Sequence, residues 1–220
     1  MNFHAYAALF PAIEPAADRT AANGIPYSTV MNTIFEVDQL TAPIFSLALS
    51  RDSSNTGFGG YLAIGGTPDP SDPEINASSS FTTVAFLPNS YYITIDGVTY
   101  GSGPTAPASD AINRNYLLDS GTAYVIVPSA DAAAIAQLFD PPATSYSGVY
   151  RVDCAATSPD VQISIGGTAF TINPEDMVFR DERDGICASA FAPGNGIYVL
   201  GAPFLRNVLA VFDWGEGAVQ

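Results

Sequence analysis

Asp119 stands in the run Leu117-Leu118-Asp119-Ser120-Gly121-Thr122, where residue types and spacing suit acid–base chemistry. Such chemistry needs a carboxylate held at a fixed point, open to substrate and water, with donors orienting its lone pairs. The apolar run Tyr116-Leu117-Leu118 reads as a buried strand that delivers the aspartate to a sheet edge. Ser120 is expected to donate its hydroxyl to a carboxylate oxygen. Gly121 lets backbone N–H groups approach, and Thr122 offers a second hydroxyl before a strand resumes at Ala123-Tyr124-Val125-Ile126. Donors placed in this way stabilise the negative charge of a carboxylate. The four residues alone read equally well as an Asx-turn between two strands.

Other chemistries find no comparable set of residues. There is no Gly-x-Ser-x-Gly elbow, and a serine triad would have to rely on His4, the only histidine, which reads as a solvated residue of the terminus. No HExxH motif or close-spaced Cys/His cluster is present, so neither a metal nor another cofactor is expected. Gly57-x-Gly59-Gly60 and Gly101-x-Gly103 lack the third glycine and the helix of a dinucleotide loop; they read as turns. Nothing speaks for paired-carboxylate glycoside hydrolysis.

The elements that must position Asp119 are short strands. With 19 glycines, 17 prolines and charged residues at 13%, about half the usual share, the chain suits turns and strands better than charged amphipathic helices. Thirteen Phe and eleven Tyr supply a sizeable core. Two hairpins are expected. Tyr92-Ile93-Thr94-Ile95 and Val98-Thr99-Tyr100 flank Asp96-Gly97, and 161–165 and 168–172 alternate around Gly166-Gly167. Further strands are expected at 44–49, 61–64, 82–86, 116–118, 123–126, 197–200 and 208–212. Ser28 can cap a helix to about residue 37, and Ser129 a helix over 131–139 that Pro141-Pro142 stops. Residues 67–80, rich in Pro, Asp and Ser, divide a leading piece (1–66) from a β-rich body (81–220).

The net charge is −15, and all seven basic residues are arginines. That balance repels phosphate backbones and anionic lipid surfaces, so neither nucleic acid nor membrane is an expected partner. No stretch reaches the length of a transmembrane helix. Cys154 and Cys187, 33 positions apart, read as a disulfide, the alternative being two buried thiols. A disulfide implies an oxidising compartment, hence an extracellular or vacuolar location. Asn76-Ala77-Ser78 is a glycosylation sequon. The first basic residue is Arg19, so the N-terminus is not a signal peptide, and a targeting segment is expected to be missing.

About 80 residues after Asp119 comes Ile197-Tyr198-Val199-Leu200-Gly201-Ala202-Pro203-Phe204-Leu205-Arg206, then Val208-Leu209-Ala210-Val211-Phe212-Asp213, with the cysteine pair between. This order closely resembles the C-terminal lobe of the pepsin-like aspartic proteases, and its texture is most similar to the fungal secreted type. Residues 27–66 resemble the end of the N-terminal lobe. The resemblance implies a mostly β, pepsin-like lobe, with a partial N-terminal lobe and few short helices. It implies a peptide or protein substrate, hydrolysed by two aspartates that share a proton and activate water, with no metal and no covalent intermediate. Asp119 would be the C-lobe member, with Ser120, Gly121 and Thr122 its supporting turn. Leu200-Gly201 would cross behind that turn, and Tyr91 or Tyr92 would line the cleft.

The chain departs from that pattern in several places. Residues 1–118 hold no second Asp-(Thr/Ser)-Gly: Asp18-Arg19-Thr20, Asp38-Gln39-Leu40 and Asp52-Ser53-Ser54 all fail it. No flap-like hairpin is present, Ala202 replaces the family's Asp or Asn, and the final strand is expected to stop short at 217–220. A single carboxylate cannot serve as both acid and base. The chain is therefore expected to be a truncated endopeptidase that is inactive alone, lacking an N-lobe or a homodimer partner. The alternative is a non-catalytic half-protease that binds peptides or acts as a decoy. The apolar residues of the leading piece (Ile44, Phe45, Leu47, Leu49, Tyr61, Leu62 and Ile64) are expected to be partly unpaired or exposed.

Overall fold

The computed structural model describes residues 33–35, 40, 42–51, 59–69, 81–87, 90–101, 108–110, 113–181 and 185–220. In chain order, β1 (Ile44–Leu49), β2 (Gly60–Ile64) and β3 (Val84–Ala85) lead into β4 (Tyr92–Ile95), β5 (Gly97–Tyr100) and β6 (Ala108–Asp110). Then come β7 (Arg114–Leu118), β8 (Val125–Pro128), helix α1 (Ser129–Gln137), β9 (Thr144–Tyr146) and β10 (Val149–Arg151). The hairpin β11 (Val161–Ile165) and β12 (Thr168–Thr171) is followed by β13 (Val178–Arg180), β14 (Cys187–Ser189) and β15 (Phe191–Gly194). The chain closes with β16 (Val199–Leu200), helix α2 (Ala202–Leu205), β17 (Leu209–Asp213) and β18 (Ala218–Val219). The fold is mostly β with few short helices.

These strands form four sheets, in the orders β2-β1-β17-β18-β3, β13-β14-β10-β9, β12-β11-β5-β6 and β15-β8-β16-β7-β4. The first joins the two ends of the described chain. β1 pairs antiparallel with β17, from Ile44 opposite Asp213 to Ala48 opposite Leu209. The leading strand is thus paired on both edges, so the expectation of unpaired or exposed apolar residues fails for Phe45 and Leu47 and holds for Leu62 and Ile64. Phe45 and Leu47 are buried, whereas Leu62 and Ile64 on the outer strand β2 stay exposed. The core between this sheet and the sheet holding β7 is aromatic. Phe45 stacks on Phe212 with centroids 4.5 Å apart, and Tyr91 meets Phe212 edge-on at 5.4 Å. Phe86 closes the group 5.9 Å from Phe212.

The hairpin at Gly166-Gly167 forms, with φ of +56° and +79° at its two glycines and Ile165 opposite Thr168. Such turns need two positive φ values in succession, which glycine adopts without strain. The hairpin at Asp96-Gly97 does not form. β4 pairs with β7, whereas β5 pairs with β11 and β6, so the chain changes sheets at this corner. Asp96 holds the corner by accepting from Gly167 N–H at 2.7 Å, and its own N–H donates to Ser164 O at 2.8 Å. Ile93 and Ile95 on one side and Val98 and Tyr100 on the other are all buried, which locks the two strands into different layers.

Ser129 does not cap α1. Pro128 occupies the cap position without a side-chain bond, and the Ser129 hydroxyl donates to Gly194 O at 3.1 Å. The helix ends at Gln137, two residues before the expected limit. Of the helix expected from Ser28, only 33–35 lies within the described residues, and it is helical. β8 starts at Val125 rather than residue 123. Asn76 and the bulk of the 67–80 segment, like His4, lie outside the described residues. Cys154 and Cys187 are joined as a disulfide.

Candidate active site

The turn that carries Asp119 leaves β7 and enters β8, but those two strands are not neighbours. β16 is inserted between them, parallel to β7 with Leu200 opposite Leu118 and antiparallel to β8 with Leu200 opposite Val125. The turn therefore bridges over the end of an inserted strand. Asp119 N–H donates to Leu200 O at 3.1 Å, and Ala202 N–H donates to Thr122 O at 2.9 Å. The two ends of the turn are thereby tied to the two peptide units that flank Gly201.

Gly201 makes the crossing possible. A Cβ at this position would lie 2.2 Å from Tyr124 O and 2.4 Å from Thr122 O, both backbone atoms. Its φ of −88° is open to any residue, so glycine is required by space and not by conformation. Leu200 behind it is fully buried.

Each oxygen of the Asp119 carboxylate takes one donor from the turn. Gly121 N–H donates to Oδ1 at 2.8 Å, and the Thr122 hydroxyl donates to Oδ2 at 2.6 Å. Asp119 is half-buried. Ser120 does not act as expected. It is only 8% exposed, and its hydroxyl finds no hydrogen-bond partner. A buried hydroxyl without a partner costs about 1–3 kcal/mol.

Tyr91 and Tyr92 separate. Tyr91 is 5% exposed and sits in the aromatic core against Phe45, Phe86, Phe212 and Trp214. Tyr92, half-buried, lies opposite Leu117 on β4. The expected cleft-lining role cannot fall to Tyr91 in this arrangement, because its ring is enclosed. Past the turn, Tyr124 stacks obliquely on Phe179 at 5.5 Å. That neighbour was invisible in sequence, since Tyr124 lies in the bend before β8 and Phe179 on β13 of another sheet.

Sequence reading also missed a polar cluster that fixes the end of the leading piece. Arg51 Nε donates to Asp176 Oδ2 at 2.7 Å and Arg51 Nη2 donates to Asn207 Oδ1. Asn207 Nδ2 donates to the same Asp176 oxygen at 3.0 Å and to Pro203 O at 2.7 Å. Asp176 stands in a 3-10 turn, Pro174–Asp176, and its side chain is 3% exposed. A carboxylate so enclosed is tolerated because it is paired and hydrogen-bonded.

A β lobe with a strand threaded behind an aspartate-bearing turn, that carboxylate held by the turn's own donors, is the class of architecture present. The family described as eukaryotic aspartyl protease matches residues 16–220, and the chain belongs to that family. It is 38% identical over 210 residues to a probable aspartic-type endopeptidase of Aspergillus fumigatus, covering 88% of this chain and 47% of that protein. Rhizopuspepsin of Rhizopus chinensis is 31% identical, with 91% of this chain and 48% of that protein covered. A probable vacuolar protease A of Trichophyton verrucosum is 29% identical, with 83% and 45% covered. The chain thus spans about half the length of the curated relatives it matches.

Proposed function

We propose that Asp119 is one of the two carboxylates of an aspartic endopeptidase site, the second being supplied by another half-site. One carboxylate activates water and the other protonates the peptide carbonyl oxygen, and the pair shares one proton because close like charges do not both ionise. The observation that carries this reading is the turn itself. Gly121 N–H and Thr122 Oγ1 fix both Asp119 oxygens, and Leu200 O and Ala202 N–H on either side of Gly201 hold the two ends of the turn. Ser120 adds support: its buried, unpartnered hydroxyl is the group that a second, apposed turn would satisfy. Gly201 and Leu200 form the backing that keeps Asp119 in place, and Tyr92 is the member of the tyrosine pair placed to line a cleft.

On this reading the substrate is a peptide or protein, and the chain alone is inactive because one carboxylate cannot be both acid and base. The missing half is an N-terminal lobe, and the Leu62 and Ile64 side chains exposed on β2 belong to the surface it would cover. An extracellular or vacuolar location follows from the disulfide, and the name of the Trichophyton relative agrees with it.

The test is cleavage of an unfolded protein at acidic pH, with and without pepstatin, paired with a solution mass. The expected result is a monomer that does not cleave. Pepstatin-sensitive cleavage by a dimer, abolished by Asp119→Asn, would replace this reading with a homodimeric enzyme. Tight peptide binding without cleavage, unchanged in Asp119→Asn, would favour a binding module.

A further inference from the structure

Of the asparagines in the described residues, Asn195 alone is followed by glycine. The pair sits at the tip of the link from β15 to β16, and both residues are exposed. Among the described residues the Asn195 side chain makes one hydrogen bond, in which Oδ1 accepts from Ser129 Oγ at 3.4 Å. The Gly196 N–H donates to no group among the described residues.

The chemistry open to such a pair is intramolecular. The Gly196 nitrogen gives up its proton to hydroxide and attacks Cγ of Asn195, forming an N–Cγ bond and a cyclic imide. The Cγ–Nδ2 bond breaks, and the nitrogen takes a proton from water and departs as ammonia, returning hydroxide. Water then opens the ring on either side. Cleavage of the N–Cγ bond leaves aspartate. Cleavage between Gly196 N and the Asn195 carbonyl carbon leaves isoaspartate, with the main chain rerouted through Cβ and Cγ. Nothing is oxidised or reduced. Glycine suits the closure because it brings no Cβ to crowd the attacking nitrogen.

The other described asparagines are held back. Asn173 precedes Pro174, which has no N–H. The Asn207 side chain is fixed by its bonds to Asp176 and Pro203. Asn115 precedes Tyr116, buried in the β4–β7 ladder, and Asn113 precedes Arg114 on the same strand.

The place of the product bears on the candidate site. The link is folded so closely that a Cβ on Gly194 would lie 2.6 Å from Ile197 O. Isoaspartate adds one atom to its main chain. At one end β15 is held by four parallel pairs to β8, and Ser129 Oγ donates to Gly194 O at 3.1 Å. At the other end β16 has two pairs on each side, so the strain falls there. β16 leads directly to Leu200 O and Ala202 N–H, which hold the Asp119 turn.

We propose that Asn195 is a self-modification site that deamidates through the cyclic imide, and that its isoaspartate product loosens β16 beneath the Asp119 turn. The proposal is independent of the catalytic reading of Asp119.

The test incubates the purified chain in mildly alkaline buffer, folded and in denaturant, and follows its tryptic peptides by mass spectrometry. Peptide 184–206 holds Asn195 as its one asparagine and has no glutamine, so a deamidation mass gain there reports on this residue. Fragmentation separates isoaspartate from aspartate. The folded rate at Asn195 is expected within about tenfold of the unfolded rate, because no hydrogen bond of Gly196 has to open. In the folded chain Asn115 and Asn207 should convert at least about tenfold more slowly than Asn195. Hydrogen exchange at Asp119 and Ala202 should be about tenfold faster in the isoaspartate form than in the parent. Asn195→Ser, which keeps Asp184-Gly185 and so controls for isomerisation there, should show neither the mass gain nor the faster exchange. The proposal is overturned if Asn195 outlasts Asn115 in the folded chain, or if the isoaspartate form exchanges at the parental rate. Conversion to aspartate alone would also overturn it, since the main chain is then unaltered.

Discussion

Replacing Gly201 by alanine should loosen the Asp119 turn without touching a polar side chain. The added Cβ would meet Tyr124 O at 2.2 Å and Thr122 O at 2.4 Å. Ordinary contact needs more than 3 Å, so β16 and the turn must separate by about 1 Å. Both obstructing atoms are backbone, and no rotamer change relieves the clash. The separation falls on the bonds from Asp119 N–H to Leu200 O and from Ala202 N–H to Thr122 O. Two backbone hydrogen bonds at about 1 kcal/mol each, with about 1 kcal/mol of backbone distortion, give a loss of about 3 kcal/mol. For a chain of this length that is a fall in Tm of roughly 6–12 °C. Gly66→Ala is the control. Its Cβ would meet nothing within 4 Å and its φ is not positive, so its Tm should stay near that of the parent. The two variants are compared by scanning calorimetry. A Gly201→Ala chain melting within about 2 °C of the parent would refute the argument that the crossing is packed to backbone contact.

Three further outcomes are expected. Reducing the disulfide, or replacing both cysteines by serine, should cost about 4 kcal/mol for a loop of this length, read as a lower denaturant midpoint with a steeper slope, because the unfolded chain without its crosslink exposes more surface. Phe212→Ala empties the centre of the aromatic core, where the ring is fully buried between Phe45, Phe86 and Tyr91. The expected loss is about 3–5 kcal/mol, with reduced near-ultraviolet circular dichroism. Arg51→Ala leaves the enclosed Asp176 with Asn207 and a distant Arg206, and should cost about 2 kcal/mol. The same change in an Asp176→Asn background should cost less than about 1 kcal/mol, and equal losses in the two backgrounds would show that the ion pair contributes nothing.

Local chemistry was legible in the sequence, and partnership was not. The Gly166-Gly167 hairpin was readable because its turn residues and flanking alternation specify both strands at once. Asp96-Gly97 carries the same kind of signal, yet β4 and β5 part company there. A turn dipeptide says that the chain reverses or bends, while the choice of neighbour is made by distant β7 and β11. Ser129 failed as a cap for a related reason, since Gly194 lies within reach of its hydroxyl and no local rule foresees that. At the candidate site the aspartate and its turn were visible as a motif. Which of the two expected hydroxyls serves the carboxylate was not legible, and Thr122 bonds it while Ser120 does not. The Arg51–Asp176–Asn207 cluster had no signature, because its members lie on three separate stretches of chain.

The pairing of β1 with β17 also bears on how the molecule is made. Its partners lie more than 160 positions apart in sequence, from Ala48 with Leu209 to Ile44 with Asp213. A ribosome delivers Phe45 and Leu47 more than 160 residues before their partners on β17, and their pairing cannot close until β17 has left the exit tunnel. Throughout that interval an apolar strand is free to pair with any other chain. Closure of so large a loop makes the sheet a late and slow step. Chaperone demand during synthesis should therefore track the delay between β1 and β17 more closely than the stability of the finished fold.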